Sequence, residues 1–144
     1  MIEQGIVLLI QSGLGAPPLA PGGFAAQLPP NQISPDAPMA WTWRSLSTPT
    51  AYTLEGPDGF GEWDVEIACH GNTMDDALIL ARAIDNILQP PSNGRSASFQ
   101  GQLTDPDSTI IQGIFNGAVA VDGFSDADRS YVRTLEYRIQ YNQP

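Results

Sequence analysis

Residues Gly61–Leu88 constrain the fold more than any other part of the chain, because a strand periodicity gives way there to a helical one within a single turn. Trp63, Val65, Ile67 and Cys69 alternate with Asp64, Glu66 and His70. A period of two predicts a strand with one buried face. Asn72 and Thr73 then offer side-chain oxygens to the first free amides of a helix, and Asp75 and Asp76 put negative charge at the positive end of its dipole. Ala77, Leu80, Ala81, Ile84, Ile87 and Leu88 recur at helical spacing on one face, and Pro90-Pro91 stops the helix. Helix on sheet is the architecture that buries both apolar faces. No residue of the segment stands in an arrangement that catalysis requires, so it predicts a scaffold whose function lies in assembly or in loops.

The flanking sequence extends the sheet. Ile2–Gln11 predicts a short helix, with Ile2, Ile6, Leu9 and Ile10 on one side and Gly13 and Gly15 ending it. Met39–Leu46 alternates Trp41 and Trp43 with Thr42 and Arg44, a second strand closed by Pro49. Tyr52–Leu54, the turn Gly56-Pro57-Asp58-Gly59 and the strand from Gly61 predict a hairpin over Tyr52–His70. Phe99–Leu103 predicts a short strand, and Thr109–Val121 a strand bent near Gly113 or Gly117. Pro91–Ser96 and Asp122–Ser130 are polar and predict loops. The closing strand, Tyr131–Tyr141, alternates most regularly, with Tyr131, Arg133, Leu135, Tyr137, Ile139 and Tyr141 on one face. The expected fold is α+β: an antiparallel-dominated sheet of four or five strands with two helices packed on one face. By length, residues 1–144 form one domain, in which 16–36, rich in proline and glycine, makes an extended arm or loop.

Charge and cysteine usage narrow the function. Sixteen carboxylates stand against six basic residues, a net charge of −10. Tight wrapping of a nucleic acid needs clustered positive charge, so this balance argues against it. All six basic residues are arginines (Arg44, Arg82, Arg95, Arg129, Arg133 and Arg138). A genome rich in G and C would produce that bias; so would a use for guanidinium forks in subunit contacts. Cys69 is the sole cysteine, which excludes an intramolecular disulfide, and its place on an apolar face predicts a buried thiol. The longest apolar run in the uncharged stretch Gln4–Pro35 is Ile6–Ile10, too short to span a bilayer. Glu3 and the lack of an early basic residue predict no signal peptide.

Sites that could carry chemistry are few. His70 is the only histidine and has no assignable partner; at a strand end it is expected at the surface or capping a turn. One Cys and one His do not make a zinc site. Asp105 with Asp107, and Asp122 with Asp126 and Asp128, lack the ordered ligands of a helix-loop-helix calcium site and are expected to be solvated. Trp41, Trp43, Trp63, Tyr131, Tyr137 and Tyr141 lack the positive groove of a base-stacking platform, which leaves core and subunit contacts.

In this order of elements the chain resembles the tail-completion, or tail-terminator, family of long-tailed bacteriophages. The resemblance runs nearly the full length. It rests on the helix Ile2–Gln11, on Pro38–Leu46 (PMAWTWRSL), on Tyr52–Leu88 (YTLEGPDGFGEWDVEIACHGNTMDDALILARAIDNIL) and on Tyr131–Tyr141 (YVRTLEYRIQY). It implies a virion structural protein, not an enzyme, with no cofactor and no bound metal. Such proteins form a ring, commonly of six subunits, that caps the head-proximal end of the tail tube and docks to a head connector or stopper protein. Genome DNA passes through the ring without sequence-specific binding, and an acidic channel wall would repel its phosphates. The expected place is the virion, after assembly in the host cytoplasm, with no membrane involved. Glu55, Pro57, Asp58 and Phe60 at the hairpin turn and Phe24 in the arm are then expected to touch neighbours or the tube. Arg133 and Arg138 are expected to pair across subunits. Another neck protein, such as a head-side connector or head-tail joining protein, shares this assembly logic. A small binding module or enzyme would instead need a concave site of converging polar groups.

Overall fold

The computed structural model describes residues 2–15, 23–25, 33, 38–46, 50–52, 59–92, 95–96, 99–104, 108–117, 120–126 and 129–143. Helix α1 (Ile2–Leu14) opens the chain, followed by strands β1 (Gly23–Ala25), β2 (Met39–Ser45), β3 (Thr50–Tyr52) and β4 (Gly59–Gly71). Helix α2 (Met74–Leu88) comes next, then the small pair β5 (Pro91–Ser92) and β6 (Arg95–Ser96). Strands β7 (Gly101–Gln102), β8 (Ile110–Asn116), β9 (Val121–Ser125) and β10 (Ser130–Gln143) complete the order.

Two long strands form the spine. β4 and β10 lie antiparallel and in register along their whole length, from Tyr131 opposite Gly71 to Gln143 opposite Gly59. Each is flanked by a lane made of two pieces. β2 and β3 both pair with the outer edge of β4, and β8 and β9 both pair with the outer edge of β10. β1 adds to β2 in parallel, and β7 adds to β8. The main sheet therefore holds eight strands, six along its principal path. The expected class, antiparallel bias and layering hold; the higher strand number comes from two- and three-residue pieces at the margins and from β9. Val121–Ser125 pairs with β10, which corrects the loop expected from Asp122, and the bend near Gly117 is the place where one lane breaks into β8 and β9.

One face of the sheet is dry. Trp41, Trp63, Val65, Ile67, Cys69, Tyr137, Ile139 and Tyr141 share it and are all buried. Both helices cover that face. α2 contributes Leu80, Ala81, Ile84 and Leu88, and α1 contributes Ile2, Ile6, Ile10 and Leu14. Thr73 caps α2, its hydroxyl accepting from the Asp76 amide at 3.2 Å. α1 runs three residues further than its sequence predicts, to Leu14, and Gly15 follows it with φ of 71°. Gly13 lies inside the helix because Ile87 of α2 packs against it, where a Cβ would come within 2.6 Å of the Ile87 side chain.

Candidate interaction surface

Among the described residues the other face of the sheet carries no helix, and strand pairing sorts its side chains into rows. One row crosses four strands from Leu46 through Asp64 and Arg138 to Phe115. At the usual strand spacing it spans about 14 Å. The ends are apolar and exposed, Leu46 at 43% and Phe115 at 49%. The middle is an ion pair, with Arg138 Nε donating to Asp64 Oδ1 at 2.9 Å and Nη2 to Oδ2 at 3.3 Å. Directly opposed residues on one face of a sheet interact in this way.

The neighbouring row reads Arg44, Glu66, Glu136 and Gly117. Arg44 holds Glu66 at 3.0 Å. Glu136 faces Glu66 across the central strands, and among the described residues no cation pairs with it. Gly117 supplies no side chain, and its amide donates to the Glu136 carbonyl at 2.8 Å. The result is a groove of about 640 Å³, lined by Leu46, Phe115, Asn116, Glu136, Arg138 and Gln140 among others. On the far side of the Leu46 row, Gln140 donates to Glu62 at 3.1 Å.

The break between β8 and β9 opens a second hollow on the helix side. It measures about 620 Å³ and is lined by Leu78, Ala81, Arg82, Asp85, Leu135 and Glu136 among others. Beside it β9 is largely exposed. Phe124 stands edge-on to Tyr131, with centroids 5.0 Å apart and planes at 67°. These two and Val121 are exposed apolar groups. Arg133 clamps Asp122 at 2.6 and 2.9 Å, and that hydrogen bonding holds the Asp122 carboxyl below its ordinary range.

Buried polar groups are matched internally. His70 is buried, which corrects the surface position expected of it: Ser130 Oγ lies 3.0 Å from Nδ1 and Thr42 Oγ1 3.4 Å from Nε2. Hydroxyls from two neighbouring strands thus meet both ring nitrogens, which makes burial tolerable. Tyr137 donates to Asp85 of α2 at 2.7 Å, and burial together with that carboxylate pushes its ionisation up. Burial likewise pushes the Cys69 thiol up, as expected of an inert structural cysteine. No group of three or more His, Cys, Asp or Glu side chains among the described residues could hold a metal ion. No helix among the described residues is long and apolar enough to cross a membrane.

The contact residues expected from sequence fall into three sets. Glu55, Pro57 and Asp58 lie outside the described residues, as does most of the 16–36 arm. Phe24 and Phe60 fall in β1 and at the start of β4, both strands of the main sheet, and nothing further is described of their side chains. Arg133 and Arg138 each engage a carboxylate on the adjacent strand of their own chain, Asp122 and Asp64. Sequence reasoning did not single out Leu46, Phe115 or Glu136. The signal that unites them is register, since no local pattern reveals that Glu136 stands opposite Glu66.

No protein-family model matches the sequence, and no curated protein sequence is similar to it. Among solved structures, the fold is similar to a chain described as "Virion of native gene transfer agent (GTA) particle". The likeness has 11% identity and a TM-score of 0.49, over 92% of this chain and 91% of that one.

Proposed function

We propose that the chain is a non-enzymatic virion structural protein, a tail terminator whose copies form a ring at the head-proximal end of a phage-like tail. One observation supports the reading above others: the segments that carry the resemblance are the structural spine. The Tyr52–Leu88 block supplies β4 and α2, the closing segment supplies β10, and β4 and β10 are central neighbours over their whole length. Among the described residues both helices lie on one face of the sheet, which ends in short marginal strands. A surface of that kind suits head-to-tail contact between copies, which closes into a ring when the rotation permits. The net charge of −10 suits a ring through which DNA passes without adhering. Partners in this reading are further copies of the chain, a tail-tube protein and a head connector or stopper.

Inactivating the gene in the genome that carries it tests the reading. The expected result, by electron microscopy, is full heads separated from tails, with tails of unregulated length. Tails of normal length that fail to join heads would assign the chain to another neck position. Intact joined particles would overturn a virion role.

A further inference from the structure

We propose that the groove on the helix-free face of the sheet receives helix α2 of a second copy of this chain, with Ile79 seated between Leu46 and Phe115 and Arg82 paired with Glu136. The proposal rests on the ring reading above and adds to it which two surfaces meet.

The groove sets two requirements. Its long row ends in Leu46 and Phe115, exposed apolar groups separated by an ion pair that already satisfies itself. An occupant must cover the apolar ends without supplying another charge to that pair. The adjacent row makes the opposite demand. Glu136 faces Glu66 on the neighbouring strand, like charges in directly opposed positions, which destabilises a sheet. Arg44 relieves Glu66 at 3.0 Å, and no described cation relieves Glu136. A local conflict of this kind, kept in an otherwise consistent fold, marks a functional position. The missing element is one cation beside one aliphatic group.

Helix α2 offers both on its solvent side. Ile79 is 49% exposed, more than any other large apolar residue of the helices. Arg82 follows three residues later on the same helical face and is exposed. Arg44, Arg133 and Arg138 are engaged by carboxylates of their own chain, whereas Arg82 pairs with no described residue. Glu136 also borders the hollow beneath α2, yet no ion pair joins it to Arg82 within one copy. Exposed Ile79 of the helix layer and the Leu46–Phe115 row lie on opposite sides of the sheet, so those two apolar surfaces meet only between copies, while Glu136 borders both the hollow and the groove. Such a contact is heterologous and propagates into a ring or a filament.

Charge reversal with mixing tests the proposal. Sedimentation velocity is run on the full chain at concentrations where the wild type associates, with circular dichroism to verify folding. R82E and E136R are each expected to weaken association by about tenfold or more, the scale of close charge pairs at interfaces. E136R does not endanger the fold, because it removes the opposition to Glu66. The decisive arm is a one-to-one mixture of the two variants. A reversed helix from one then meets a reversed groove on the other, and association is expected to return. Variants that associate like wild type, or a mixture that stays dissociated, would overturn the proposed contact while leaving the ring reading to the gene-inactivation test. A wild type that never self-associates in solution would also overturn it.

Discussion

The two faces of the β4–β10 spine are built from the same strands yet follow opposite rules. On the helix side, Trp63, Ile67, Cys69 and Ile139 are no more than 1% exposed, and the buried Tyr137 hydroxyl beside them has a carboxylate partner. On the open side, the same strands carry rows of carboxylates, arginines and amides ended by exposed Leu46 and Phe115. The first face stabilises the fold through burial. The second carries exposed rows, in which Glu136 faces Glu66 with no described cation of its own.

The contrast predicts a steep difference in mutational cost. Trp63→Ala empties the centre of the dry face, where Trp63 meets Trp43 edge-on at 6.2 Å and donates to Ser45. It is expected to cost about 3–5 kcal/mol in chemical denaturation. Tyr137→Phe keeps the ring but strips Asp85 of its donor, with an expected cost of about 1–2 kcal/mol. On the open face the sign reverses. Glu136→Gln removes the opposition to Glu66 and is expected to stabilise by about 0.2–1 kcal/mol, less at high salt. A destabilised Glu136→Gln would mean that the carboxylate has a stabilising role in the monomer. Arg44→Ala, at an ion pair whose arginine side chain is 60% exposed, is expected to cost under about 1 kcal/mol.

The smallest effect is a pH dependence. Arg133 lowers the Asp122 pKa below its ordinary 3.8, so the pair stabilises the fold above that value. The contribution is lost as pH falls through the lowered folded-state value. The melting difference between wild type and Asp122→Asn is therefore expected to persist at neutral pH and to vanish in strong acid. A difference that grows on acidification would contradict the assignment.

These faces were unequally legible in the sequence. The dry face announces itself, because alternation in Gly61–His70 and helical spacing in Ala77–Leu88 are local patterns fixed by backbone geometry. β9 was hidden: Val121-Asp122-Gly123-Phe124-Ser125 is short and polar, and it becomes a strand only because β10 offers an edge there. His70 looked exposed because its partners, Thr42 and Ser130, lie 28 and 60 residues away. The groove depends on register across four strands, joining residues as distant as Leu46 and Phe115. No window along the chain contains that information.

Hydrogen exchange, compared between dissociated and assembled chain, tests the division of labour between the faces most directly. Added protection on assembly is predicted in the segments around Leu46 and around Phe115–Gly117, and along the Ile79–Arg82 turn of α2, while the buried stretch Val65–Cys69 stays unchanged. Assembly that leaves those segments unaltered, and protects other surfaces instead, would contradict the account.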